Sequence, residues 1–289
     1  MAVTPIWTHR PAHPRITASR LGTAAWYLLL IPLALAILFP FIWMVLTSLK
    51  VEGDIMTFPP RLLPQQWSLA AYGEVWQRLP LVTFFRNTLL FAGGVTAVSL
   101  VFDSLTAYAL ARLEFPGRTA VFVVILATLM IPAQVTMIPV FVIVYHLGWL
   151  NTFAGLIIPR ATNAFGIFML RQFFMTVPRE LDQAARIDGC GEFRIYWRII
   201  LPLSKGALAT LAVFHLMYNW NDLLWPLIMT TSTDMQTLTV GLATLTGQHQ
   251  YEYAILMAGA TLALAPLIIA FLSVQRYFIQ GIAMTGLKE

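Results

Sequence analysis

Three ionisable side chains, Asp103, Arg160 and Asp222, fall within long runs of apolar residues. A charge in hydrocarbon is costly, so such a residue either pairs with another or lines a polar path. Asp222 belongs to the run Asn219-Trp220-Asn221-Asp222, with Trp225 just beyond it. Amides and a carboxylate flanked by indole rings suit a sugar, which offers hydroxyls at its rim and C–H groups on its faces. Other chemistries are poorly served. There is no Gly-Lys dipeptide and hence no phosphate-binding P-loop, no Gly-x-Ser-x-Gly elbow and no His-Glu-x-x-His zinc pattern. The five histidines, His9, His13, His146, His215 and His249, are scattered over tail, loops and one apolar run, and no metal site is expected. Nothing marks a catalytic residue, so the chain reads as a non-enzyme.

Composition decides what surrounds these residues. Of 289 residues, 58% are hydrophobic and 11% charged, and the mean hydropathy is +0.74, far from soluble composition. This excludes disorder, coiled coil, collagen and a β-barrel, and it points to an all-α polytopic membrane protein. The net charge of +5 reads as the loop charge of a membrane chain rather than a nucleic-acid surface. Cys190 is the single cysteine and cannot form an internal disulfide.

Six crossings are expected. Ala24 to Leu46 is uncharged, carries Pro32 and Pro40, and is too long for a signal peptide, so it reads as an uncleaved anchor. Asn87 to Leu110 is the second span and holds Asp103. From Thr119 to Pro159 there is no Asp, Glu, Lys or Arg, a stretch too long for one crossing. Pro132 and Pro139 predict a kink or break, with a third span near Ala120 to Tyr145 and a turn around Gly148 to Thr152. Phe153 to Leu170, interrupted by Pro159 and Arg160, Gly206 to Met229, and Tyr253 to Val274 complete the set.

Orientation follows from the cationic residues, which cytoplasmic loops retain. With the N-terminus inside, Arg10, Arg15, Arg20, Arg112, Arg118, Arg171, Arg179, Arg186, Arg194, Arg198, Lys205, Arg276 and Lys288 are internal, against Lys50, Arg61, Arg78 and Arg86 outside. Both termini are therefore expected in the cytoplasm, as a segment 1–23 and a tail 276–289 around a membrane domain 24–275. The external stretch Lys50 to Phe85, with Trp67, Tyr72 and Trp76, predicts a short amphipathic helix at the interface. Arg160 and Asp222 each lie about seven residues from the outer ends of their spans, or about 10 Å deep at 1.5 Å per residue. They are expected to form a buried ion pair bracing spans four and five. The alternative is that Asp222 lines the solute path with Asn219, Trp220 and Asn221. Asp103, about 24 Å deep by the same count, has no basic partner at its level and reads as a packing or water-facing acid rather than a proton relay. Gly93, Gly94 and Gly259 read as sites of close helix approach.

Between spans four and five, about 178–204, runs a segment far richer in charge. Pro178, Glu180 and Asp182 suit a first helical turn, Leu181, Ala184, Ala185 and Asp188 fall at helical spacing, and Gly189 is a stop. Phe193, Tyr196, Trp197 and Ile200 then give a second helix an apolar face, with Arg194 and Arg198 one turn apart and Pro202 as the break before span five. An amphipathic helix lying on lipid would explain the aromatics. The small Ala184-Ala185 patch before a glycine bend suits close approach of another protein better.

The spacing Gln183-Ala-Ala-x3-Gly189-x9-Ile199-x-Leu201-Pro202 resembles the EAA loop of permease subunits of bacterial ATP-binding-cassette importers. Phe85-Arg-Asn-Thr-Leu, Tyr108-Ala-Leu-Ala-Arg-Leu-Glu-Phe-Pro-Gly117, Trp220-Asn-Asp-Leu-Leu-Trp-Pro226 and Gln275-Arg-Tyr-Phe resemble its carbohydrate-uptake branch, the MalG-like subunits. The likeness runs from about residue 24 to the end.

The resemblance implies a type I importer permease fold in the bacterial cytoplasmic membrane, carrying a sugar or oligosaccharide. It implies as partners a second, related permease, two ATP-binding subunits that hold the Mg-ATP, and an extracytoplasmic solute-binding protein. The chain itself would carry no cofactor. Gln183, Ala184, Ala185 and Gly189 would seat in a groove of one ATPase subunit, while Ile199, Leu201 and Pro202 fix the helix returning to the membrane. The family's Glu is Gln183 here, which removes a charge-assisted contact to any basic residue in the groove; whether Glu180, one turn earlier, replaces it is open in the sequence. Related permeases also carry polyol phosphates such as glycerol phosphate. An ion-coupled secondary transporter would instead call for inverted repeats and paired intramembrane carboxylates, and the acids here are scattered.

Overall fold

The computed structural model describes residues 20–245 and 252–286, and among these every regular element is helical. Arg10, Arg15, His9, His13, His249 and Lys288 lie outside the described residues. A long helix α1 (Arg20–Ser48) is followed by the short α2 (Glu52–Ile55) and α3 (Ala70–Arg78), then by α4 (Leu81–Arg112). Next come α5 (Arg118–Thr128), α6 (Ala133–His146), α7 (Phe153–Ile157) and α8 (Ala164–Thr176). The charged segment holds α9 (Arg179–Ile187), α10 (Glu192–Ile195) and α11 (Leu201–Leu203), the last two joined by a π-helical turn at Tyr196–Ile200. The chain closes with α12 (Lys205–Trp220), α13 (Leu224–Met229), α14 (Leu238–Thr244) and α15 (Tyr253–Gly286).

Three helices are each long and apolar enough to cross a bilayer: Trp26–Ser48, Leu81–Arg112 and Tyr253–Ser273. Three further crossings exist only if bent pairs count as single spans. The apolar run of span three does not form one rod: Arg118–Thr128 and Ala133–His146 meet at 97°. Pro132 caps α6 with extended ψ, whereas Pro139 sits inside α6. Of the two prolines only the first breaks the chain, since an N-terminal proline has no lost hydrogen bond to answer for. In span four, Phe153–Arg160 and Ala164–Thr176 bend by 46°. Span five stops at Trp220, and Asn221–Leu223 separate it from α13, so Gly206 to Met229 is not continuous.

The bundle is organised around α4, which packs against α8 and α12. At one end Ala107, Tyr108 and Ala111 of α4 meet Leu170 and Phe174 of α8, Ile195, Ile200 and Leu211 in one buried cluster. Nearer the opposite end Phe91 and Val95 join Val144, Leu156, Trp225 and Met229. Gly94 admits Ile157, whose Cδ1 would lie 2.7 Å from an added Cβ, and Gly259 likewise admits Leu242; Gly93 faces open space, so the expectation of close approach does not hold there.

The segment between α1 and α4 packs on protein. Ala71 and Val75 of α3 are buried with Leu81, Phe84, Leu238 and Ile255, and Tyr72 shares a 2.8 Å hydrogen bond with Ser48. Phe58, Trp67 and Trp76 keep exposed rings. Glu52 caps α15, accepting from the N–H groups of Tyr253 (2.8 Å) and Ala254 (3.1 Å), where the helix N-terminus favours a carboxylate. Arg78 bonds Glu74 and Glu252 beside this cap.

Candidate functional site

Two polar regions interrupt the apolar bundle. The first is the elbow, α9 to α11. Pro178 caps α9, Glu180 and Asp182 lie in its first turn and Arg186 in its last, in the order the helix dipole favours. Gly189 adopts a left-handed φ of 77°, and Gly189 and Cys190 donate back to Arg186 (3.0 Å) and Ala185 (2.9 Å), closing the helix with the bend that glycine allows.

The elbow is held by a row of side chains four residues apart on one face of α4. Ser104 shares a 2.8 Å hydrogen bond with the Tyr196 hydroxyl, Tyr108 donates to Glu192 at 2.7 Å, and Arg112 Nη1 donates to Asp182 at 3.1 Å. Arg112 Nη2 also donates to the carbonyls of Phe174 and Val177 (2.5 and 2.6 Å), the exposed end of α8. Both side chains of the Arg112–Asp182 pair are almost wholly buried. Arg186 donates to Glu192 at 2.8 Å. At Ser204 the chain turns by 80° into α12, so Glu192 lies off the axis of span five. There the Arg186 hydrogen bond holds the Glu192 carboxylate below its ordinary value against partial burial, with Tyr108 acting in the same direction. The same bond raises Arg186.

With the inner face so engaged, Glu180, Gln183, Ala184, Ile187, Asp188 and Gly189 remain exposed. Ala185 does not belong to that surface: it is buried against the α4–α8 core because it lies on the same turn as Asp182. The paired-alanine patch is therefore a single alanine. Ile199 and Leu201 pack on the same core, while Pro202 is exposed. The apolar face expected beyond Gly189 also divides, with Tyr196 and Ile200 inside and Phe193 and Trp197 stacked outside, ring centroids 6.4 Å apart.

The second region is a cavity of about 200 Å³ between the break in span four and α12. Arg160 and Asp222 meet there: Nη1 lies 2.6 Å from Asp222 Oδ2 while directing its hydrogen bond to Asn219 Oδ1 at 2.8 Å. The guanidinium also lies 5.6 Å from the Tyr218 ring centroid and 5.5 Å from that of Trp225, a favourable cation–π placement. Asn219 lines the cavity and is engaged at both ends, accepting from Arg160 and donating to the His215 carbonyl at 2.8 Å. Trp220, Asn221 and Asp222, expected on the same path, do not line it; Asp222 reaches it only through Arg160. The Trp220 indole is buried beside Ala92 and Leu267 and donates to the Ala263 carbonyl, and Asn221 ends α12 on the outside, donating to Met217. Successive residues on a helix point about 100° apart, so four neighbours cannot share one wall.

Asp103 has a basic partner at its level after all. Its Oδ2 lies 3.1 Å from His215 Nε2, and Oδ1 accepts from Thr162 Oγ1 (2.7 Å) and the Asn163 N–H (2.9 Å). Matching the acid only against Lys and Arg misses an imidazole. Gly166 makes the arrangement fit, since a Cβ there would lie 2.1 Å from Asp103 Oδ2. Among the described residues no three His, Cys, Asp or Glu side chains converge as a metal site would require.

A multi-pass bundle of apolar helices, broken where its interior is polar and clamped at one end to a charged elbow, defines a helical membrane transport component. The chain belongs to the family of binding-protein-dependent transport system inner membrane components, which it matches over residues 103–284. It is 36% identical to the arabinooligosaccharides transport system permease protein AraQ of Halalkalibacterium halodurans, over 89% of this chain and 93% of that one. It is 34% identical to the sn-glycerol-3-phosphate transport system permease protein UgpE of Yersinia pestis, over 89% and 94%. Among solved structures, a chain of a bacterial ABC transporter that imports the acidic polysaccharide alginate superimposes with a TM-score of 0.80 at 27% identity, covering 95% of this chain and all of that one.

Proposed function

We propose that this chain is one permease subunit of an ATP-driven importer that carries a sugar or oligosaccharide across the bacterial cytoplasmic membrane, with both termini in the cytoplasm. It catalyses no reaction itself. Mg-ATP is hydrolysed by two ATP-binding subunits beneath it, a second, related permease completes the pathway, and an external binding protein delivers the solute. The observation that carries this reading is the elbow: its inner face is bound to α4 through Asp182, Glu192 and Tyr196, while Gln183, Ala184, Ile187 and Gly189 are left uncovered. A rigid lever with one face open suits docking to a motor. Closure of the ATPase dimer would move α9, and the α4 row would pass that displacement to the bundle, shifting it between outward- and inward-open states.

Residues Arg160, Asn219 and Asp222 lie on the solute path in this reading. The glycerol-phosphate relative keeps a second cargo in view, a polyol phosphate. The test is the complete importer in proteoliposomes carrying Ala184→Trp. Uptake should collapse and ATP turnover should lose its dependence on binding protein, with insertion and thermal stability unchanged. Normal coupled uptake in that variant overturns the docking assignment.

A further inference from the structure

The cavity beside α12 carries more detail than a polar path needs. Two nitrogen bases line it, the Arg160 guanidinium and the His215 imidazole, and each faces a carboxylate: Asp222 at 2.6 Å and Asp103 at 3.1 Å. An anionic solute would have to displace one of these carboxylates, and the Asp103 side chain is wholly buried behind the wall. The groups left for a solute are neutral. The Tyr218 hydroxyl makes no hydrogen bond to the described residues, and Asn163 uses only its Oδ1, accepting from the Phe165 N–H at 2.8 Å, which leaves its amide protons. Trp225 and Tyr218 supply aromatic surface. The volume, about 200 Å³, falls below the roughly 300–1,000 Å³ of sites that enclose drug-sized ligands. It fits one ring rather than a chain.

We propose that this cavity is a subsite for a single uncharged sugar ring, hydrogen-bonded by Tyr218 Oη and Asn163 Nδ2 and stacked beside Trp225. The Arg160–Asp222 ion pair and the Asp103–His215 hydrogen bond hold its wall, and their carboxylates disfavour a phosphate. Asp103 is the positioning residue: it fixes Thr162, Asn163 and His215 together, and so sets where Asn163 stands against α12. This rests on the importer reading above and narrows its cargo.

The experiment uses the complete importer in proteoliposomes. Its cargo is first chosen by thermal-shift screening of the binding protein against mono- to pentasaccharides and polyol phosphates. Uptake per ATP hydrolysed is then compared for the unsubstituted complex, Tyr218→Phe, Asn163→Ala and Asp103→Asn. Each lost hydrogen bond should lower transport per ATP by about three- to tenfold, with assembly unchanged in both, melting temperature unchanged in Tyr218→Phe, and melting only slightly lowered in Asn163→Ala, which also loses the cap of α8. Asp103→Asn should alter the relative rates for sugars of different ring size, which a merely structural loss would lower in parallel. A phosphate ester as cargo overturns the proposal, as does a neutral sugar carried equally well by Tyr218→Phe and Asn163→Ala. Absence of ATP-driven uptake in the unsubstituted complex removes the importer reading, and this subsite with it.

Discussion

The molecule contains two polar ladders, and they are built differently. On α4, Ser104, Tyr108 and Arg112 reach outward to the elbow, and the pair at its end, Arg112–Asp182, has side chains only 2% and 4% exposed. On α12, His215 and Asn219 face a cavity, and the pair beside it, Arg160–Asp222, is 19% and 12% exposed. The spacing of about four is common to both and follows from the helix. Their difference lies in what completes the valences. Arg112 Nη2 bonds the carbonyl end of α8, so that pair joins three helices as a clamp, although Arg112 Nε and Asp182 Oδ1 are buried without a partner among the described residues. Arg160 is completed by an amide and two aromatic rings, leaving space beside it. A sealed pair transmits displacement; an open one can meet a solute.

Breaking the sealed pair should cost most. Arg112→Met leaves Asp182 charged and buried, which typically destabilises by about 3–5 kcal/mol. The double variant Arg112→Met with Asp182→Leu should recover most of that loss, since apolar replacement of a buried pair is often neutral. Its uptake should stay impaired, because the elbow is no longer tied to α4. Thermal unfolding in detergent reads the first effect and proteoliposome uptake the second. Full uptake in the stable double variant would show that the clamp only supports the fold.

Arg160→Met should cost less, about 1–3 kcal/mol, because the Asp222 side chain is less deeply buried than Asp182 and still accepts from the Trp225 N–H at 3.3 Å. An equal or larger cost than Arg112→Met would erase the contrast between the two ladders. Gly166→Ala should fall in the same range, about 1–3 kcal/mol by overpacking, since its Cβ must displace the Asp103 carboxylate. A variant with unchanged melting would mean that α8 and α4 separate there without penalty.

Gly189→Val tests the elbow on another basis. No atom lies within 4 Å of an added Cβ, so the penalty is conformational: a left-handed φ costs an L-residue roughly 1–2 kcal/mol. Because that strain falls on a surface turn, melting should move little while uptake is lost. The reverse pattern, early melting with coupled uptake in what remains, would place Gly189 in the fold rather than in the coupling.

These comparisons also indicate what sequence could convey. Counting residues from the span ends put Arg160 and Asp222 at one depth, and they lie 2.6 Å apart, because rise per residue is nearly constant even across a bend. The elbow's helix, stop and break were legible for the same local reason. Arg112 and Asp182 were not: 70 residues apart, each reads as one more loop charge. Nothing local distinguishes a charge that folds inward from one that faces water. Asp103–His215 was hidden because histidine in an apolar run carries no sign until its neighbour is known. The break in span three was legible from Pro132, but its angle of 97° was not, since hydrophobicity fixes burial in lipid but not the angle between halves.

The smallest expected effect concerns Gln183. It is exposed, and it lines the groove above α9 one turn from both Arg179 and Arg186. Arg186 is already engaged by Glu192, and Arg179 has only a distant contact of 3.7 Å with Glu114. Gln183→Glu would place a carboxylate four residues after Arg179, the weaker orientation for a helical ion pair, worth at most about 0.3–0.5 kcal/mol. Melting should therefore rise slightly at low salt and not at high salt. Coupled uptake should stay within about twofold of the unsubstituted complex, because the uncovered face of the elbow keeps its shape and Ala184 its access. A several-fold gain in uptake would mean instead that the docking groove presents a cation that the native amide leaves unanswered, and that the charge at this position, rather than the small alanine beside it, sets how firmly the motor grips.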